Sequence, residues 1–194
     1  MKESKETVTY LKLSQANIRK ELTKYVKSIK SIALPTPQND VLELIHSLKR
    51  QPLGTGRYKC VSLFEASNLI YSDLVILFGV QQLLNNPVVG NVRLPFTEYE
   101  VNLGVKGGND LKAVSGSHCL VGEAFNVSKS LFQGKKSHMI KKVRRDLNAD
   151  YRLIIFNADA VKNHKYYLEK SDLDILYLPV FVPKTLREIG GLFK

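Results

Sequence analysis

The sequence predicts an α/β fold, a mixed β-sheet flanked by helices with a helical segment at its N-terminus, and three observations carry that reading. Three runs of period-two hydrophobicity, separated by Gly-containing turns, lie between residues 96 and 127, the pattern of an antiparallel meander. A long apolar run at helical spacing precedes them. After them, two apolar strand runs alternate with helical runs, which implies parallel crossovers onto the same sheet. With 194 residues and 44% apolar content, the chain can bury one sizeable core. We divide it into a helical N-terminal segment, residues 1–52, and an α/β core, residues 53–194, within one unit.

Taken in order, "SQANIRKELTKYVKSIK" places Ile18, Leu22, Tyr25, Val26 and Ile29 on one stripe, with Arg19, Lys20, Lys24, Lys27 and Lys30 largely off it. This is an amphipathic helix with a basic outer face. Pro35 and Pro37 break the chain, and Asp40 can cap a short helix that Pro52 closes. A longer helix begins at Ser62, because Ser62 and Glu65 have capping-box spacing and Leu63, Ala66, Leu69, Ile70, Leu74 and Leu77 follow at helical intervals. It is apolar enough to be the central buried helix. "FTEYEVNLGV", "NDLKAVSG" and "HCLVGEAFNV" are the meander strands, and a helix through Met139, Ile140, Val143 and Leu147 leads into the strand "YRLIIFNAD". A short helix around "VKNHKYYLEK" and a strand "LDILYLPVFV" complete the order.

The formal charge is +11, from 29 Lys and Arg against 18 Asp and Glu, which favours an anionic partner. No apolar run of signal-peptide length opens the chain, and Asp73 with two glutamines interrupts its most apolar stretch, so a cytoplasmic protein is expected. Cys60 and Cys119 form no CxxC pair, and "GTGRYK" and "GVKGG" lack the strand–GxxxxGK[ST]–helix context of a phosphate loop. From Lys129 to Arg145 there are seven basic residues and no acid, where a solvated helix normally mixes signs. Phosphate contact and simple solubility both account for that run, and Lys136, Lys141, Lys142, Arg144 and Arg145 are its candidate DNA contacts.

Two acids stand out because each sits alone in an apolar strand run. Side chains alternate along a strand, so Asp110 shares a face with Lys112 and Val114, and Glu123 shares one with Val121 and Phe125. On adjacent strands of a meander the two carboxylates can converge. A pair of carboxylates in a basic protein suits Mg²⁺, a hard cation that takes a few carboxylate oxygens, water and substrate phosphate. Glu100, on the first meander strand with Glu98, is a candidate third metal ligand. Glu65 is read as a helix cap rather than a further acid of the site.

In this element order, with "ND" at 109–110 and "GEAF" at 122–125, the chain resembles the PD-(D/E)xK nuclease superfamily, the fold of many restriction endonucleases, over roughly residues 62–182. The resemblance implies a restriction-endonuclease-like sheet, Asp110 and Glu123 as Mg²⁺ ligands, and hydrolysis of phosphodiester bonds in double-stranded DNA. A homodimer is implied where both strands are cut. Phe125 stands where the family has its catalytic lysine. Lys112, two residues after Asp110 on the same strand face, is the nearest substitute, with Lys129 and Lys136 behind it. The alternative is a catalytically inactive nucleic-acid-binding protein of the same fold, and a third reading is a structural or protein-interaction domain.

Overall fold

The computed structural model describes residues 10–34, 40–104, 107–169, 174–185 and 188–189. Its six-stranded sheet joins β1 (Leu11–Ser14), β4 (Glu98–Val101), β5 (Leu111–Ser115), β6 (His118–Phe125), β7 (Tyr151–Asn157) and β8 (Leu176–Val180), in that spatial order. The pairs from β1 to β6 are antiparallel, and β6, β7 and β8 run parallel. A two-stranded ribbon, β2 (Val88–Val89) and β3 (Val92–Arg93), stands apart. The fold is α/β, with a mixed sheet flanked by helices, as the alternation of periods predicts.

Both faces of the sheet are used, but unequally. On one face, α1 (Ile18–Lys30) and α3 (Leu63–Asn85) bury Leu22, Val26, Leu77 and Val80 against Leu13, Tyr99, Leu111, Leu120, Leu153 and Leu178 of all six strands. On the other face, α4 (Phe132–Val143) and α5 (His164–Glu169) cover only the parallel strands, packing Phe132, Met139, Val143 and Tyr167 on Val121, Phe125, Ile154, Phe156 and Tyr177. Among the described residues no helix covers that second face over β1, β4 and β5, where Lys12 and Glu98 are exposed, Glu100 and Lys112 are half-buried and Val114 is 73% exposed. A ledge of open sheet therefore runs up to the flank of α4.

The caps form where side-chain chemistry predicts them. Ser62 accepts the Glu65 N–H at 3.2 Å to begin α3, and Asp40 accepts those of Leu42 and Glu43 to begin α2 (Val41–Arg50). Gly79 in α3 lets the helix close on the sheet, since a Cβ there would lie 2.9 Å from the Ile155 side chain. α3 is long and apolar enough to cross a membrane, but half of its most apolar stretch is buried inside the protein.

Two elements differ from the sequence reading. The segment expected to be helical also contributes β1, whose four residues pair with β4 and extend the sheet. The helix expected to run through Leu147 ends at Val143, and Leu147 is 86% exposed in the following turn. The chain break read from Pro35 and Pro37 lies outside the described residues.

Candidate active site

The register of β5 on β6 sets Leu111 opposite Gly122 and Lys112 opposite Val121. One residue further, Asp110 stands opposite Glu123, and the period of two turns both side chains toward the α4 face. Backbone bonds fix the geometry: the Asn102 N–H donates to the Asp110 carbonyl at 3.0 Å, and the Ala124 N–H donates to Asp110 Oδ2 at 2.8 Å. The loop before Asp110 turns at Gly108, where φ is +69° and a Cβ would lie 2.5 Å from the Tyr10 hydroxyl. Only glycine fits there without displacement.

Glu123 is 1% exposed. Its Oε2 accepts a hydrogen bond from Lys142 Nζ at 2.6 Å, while its buried Oε1 has no donor outside the acid pair, where a proton shared with Asp110 can bridge the two carboxyls. Burial, and then the charge of Asp110, push the Glu123 carboxyl up to about 7 against the pull of Lys142. Burial also raises Asp110, opposed first by the Ala124 N–H, then by Lys142, by a hydrogen bond shared with Glu123, and last by Lys135. The two acids therefore compete for one charge, and a cation relieves both. Asp110 and Glu123 together offer hard oxygen donors of the kind that could hold a divalent cation.

The lysine beside the acids is Lys142, from the crossover helix, and not Lys112. On α4, Phe132, Met139 and Val143 face the sheet, so Lys135 and Lys142, seven residues apart, share the shoulder toward β5 and β6. That spacing beside an apolar stripe was a signal in the sequence. Lys112 instead lies 5.2 Å from the Tyr10 ring centroid, on the open ledge. Glu100 lies 3.6 Å from Lys12 and opposite Lys112, away from the acid pair. Among the described residues no group of three or more His, Cys, Asp and Glu side chains is placed to hold a metal ion, so the candidate site rests on two acids.

Phe125, in the motif lysine's position, is 1% exposed and packs on Phe132 and Phe156 with ring centroids 5.6 and 6.0 Å away. An aromatic core under α4 occupies the space that a lysine would need.

The chain matches no family model, no curated protein and no solved structure.

Of the candidate DNA contacts, Lys142 belongs to the acid pair. Arg145 and Lys142 line an open depression of about 610 Å³ with Gly108, Asn109 and Asn148. Lys141 is exposed. Arg144 forms two hydrogen bonds with Asp174, at 2.9 and 2.7 Å, and Lys136 sits on the opposite shoulder of α4 over the Tyr167 and Tyr177 rings. The depression meets the acid pair through Lys142 and Asn109, the residue before Asp110; the two carboxylates do not themselves line it, and Asp146 does.

A second buried acid had no functional reading in the sequence beyond interrupting an apolar run. Asp73, 3% exposed in α3, accepts the Tyr25 hydroxyl at 2.9 Å and the Tyr58 hydroxyl at 2.7 Å on Oδ2, and the Gly104 N–H at 2.9 Å on Oδ1. Arg57 stacks over both tyrosine rings and donates to the Leu103 carbonyl at 2.7 Å. This network joins α1, the loop at residues 57–58, α3 and the loop after β4.

Proposed function

We propose that the chain is a Mg²⁺-dependent endonuclease of the PD-(D/E)xK type that hydrolyses phosphodiester bonds in double-stranded DNA. The carrying observation is the Glu123 carboxyl, buried opposite Asp110, with one oxygen on the Lys142 ammonium and the other met by no donor outside the acid pair. The succession of α3, the β4–β6 meander, the α4 crossover and parallel β7 supports the same reading, with Asp110 just before β5 and Glu123 within β6.

Asp110 and Glu123 would hold the ion, which supplies charge stabilisation to the phosphodiester and acidifies a water molecule. The chain's own residues set the stage. The Ala124 N–H fixes the Asp110 carboxylate, the sheet register holds Glu123 beside it, and burial raises the proton affinity of both, a cost that a bound cation would offset. Lys142 reaches the acid pair from α4 and takes the place of the missing motif lysine, holding positive charge where the scissile phosphate would lie. Arg145 lies on the rim of the same depression and is placed to hold an adjacent phosphate.

Cleavage of plasmid and linear DNA, with Mg²⁺ or Mn²⁺, tests this. Asp110→Asn and Glu123→Gln are each expected to lower the rate about a thousandfold, with DNA affinity retained. Lys142→Ala should abolish cleavage, and Lys112→Ala should leave it intact. An inactive wild-type protein would select the alternative, a DNA-binding protein of the same fold without catalysis, which Phe125 in the aromatic core favours.

A further inference from the structure

The parallel strands end in a crevice that the acid pair does not use. In an α/β sheet, ligands gather outside the carboxyl ends of the strands. Here β6 ends at Phe125 and β7 at Asn157, and the segments that follow form an open groove of about 340 Å³ between the start of α4 and α5. Its apolar floor includes Val161, and its polar rim carries Lys129, Gln133, Lys162 and Asn163. Tyr166 is 51% exposed at the edge, held nearly perpendicular to the buried Tyr167 ring at 5.3 Å. Gln133 donates its amide to the Tyr167 hydroxyl at 3.2 Å, and Asn163 accepts the Tyr166 N–H at 3.2 Å. That leaves Gln133 an acceptor and Asn163 a donor group for the edge of a ligand.

We propose that this crevice binds one unpaired nucleotide of a DNA strand, its base against Tyr166 and its phosphates between Lys129 and Lys162. An aromatic face, amide groups of both hydrogen-bonding senses and two ammonium groups are the combination that takes a base and its backbone together. The proposal deepens the nuclease reading and rests on it for the identity of the polymer. Along α4, Gln133 and Lys142 are nine residues apart, about 14 Å. At roughly 3.4 Å per nucleotide the crevice therefore lies about four nucleotides from the acid pair. The favoured substrate is then duplex DNA with a single-stranded tail or an extruded base at that distance, rather than uninterrupted duplex.

The test uses fluorescence anisotropy of the full chain in EDTA, so that binding is read without cleavage. The probes are a blunt DNA duplex and the same duplex with a tail of about four nucleotides, of either polarity. The tailed duplex is expected to bind about tenfold tighter, the size of one base stacked on one aromatic ring. Tyr166→Ala should erase that difference without changing blunt-duplex affinity, Tyr166→Phe should keep it, and Lys162→Glu should reduce it from a separate position in the groove. Equal binding of the two probes by the wild-type protein, or a tail preference that survives Tyr166→Ala, overturns this proposal and leaves the nuclease reading standing. No binding of either probe at low salt overturns both.

Discussion

Asp73 and Glu123 are both buried acids, yet their surroundings differ in the one respect that separates a structural group from a site. Asp73 is closed: three donors from three other segments meet its two oxygens. Glu123 is open, with one oxygen on Lys142 and the other met by no donor outside the acid pair, and a second carboxylate beside it. Burial raises the proton affinity of both, but around Asp73 the tyrosine hydroxyls, Arg57 and the Gly104 N–H all oppose it, whereas Asp110 adds to it at Glu123. A closed network lowers the energy of the fold. An open one holds energy that a ligand can release.

Breaking the two sites should therefore have opposite consequences for stability. Asp73→Ala removes three hydrogen bonds and orphans buried donors, at about 3 kcal/mol, which for a chain of this size lowers Tm by roughly 10 °C. Glu123→Gln removes a buried, strained charge and should be neutral or mildly stabilising while ending cleavage. Calorimetry of both variants decides the matter. A Glu123→Gln protein destabilised as much as Asp73→Ala would mean that Glu123 is structural too.

The order of elements was legible because it is written in periodicity: runs of two for the meander, 3.6 for the helices, and cap residues at Asp40 and Ser62. The positions of Asp110 and Glu123 on one face followed from the same parity. What the sequence did not reveal was how neighbours are assembled from distant segments. Whether Lys112 or Lys142 meets Glu123 depends on where α4 crosses the sheet, and whether Asp73 is a flaw or a hub depends on Tyr25 and Tyr58, 48 and 15 residues away. β1 escaped notice because four residues carry too little alternation to register, and its pairing with β4 comes from the sheet edge rather than from its own sequence.

The pH dependence sharpens the contrast at a smaller scale. Glu123 binds its proton more tightly in the folded chain, with a pKa raised from 4.5 to about 7. The stabilisation this gives is complete below the unfolded value and is lost as pH rises through about 7. Without divalent ions, stability should fall between pH 5 and 7 by on the order of 1–3 kcal/mol. Glu123→Gln should flatten that slope, and Mg²⁺ should restore stability on the alkaline side, where the carboxylates are free to bind it. Chemical denaturation across this range, with and without Mg²⁺, measures all three. A wild-type profile that is flat, or that rises with pH, would contradict the competition between Asp110 and Glu123.

The same distinction between closed and open groups extends to the cations, where the expected effects are smallest. Arg144 is engaged with Asp174, and Lys136 lies over two tyrosine rings, whereas Lys141 is exposed and Arg145 lines the depression beside the acids. Removing a cation that neutralises one phosphate should reduce the slope of log affinity against log salt by about 0.9. Lys141→Ala and Arg145→Ala are therefore each expected to flatten the slope by about that much, and Lys136→Ala to change it far less. Arg144→Ala should act mainly on stability, because the guanidinium holds the Asp174 carboxyl below its usual range through a bidentate pair at an exposed site worth under about 1 kcal/mol. Anisotropy titrations at several salt concentrations separate these outcomes. If Lys136 carried the slope and Arg145 did not, DNA would lie along the α5 shoulder of α4, and the depression beside Glu123 would not be its path.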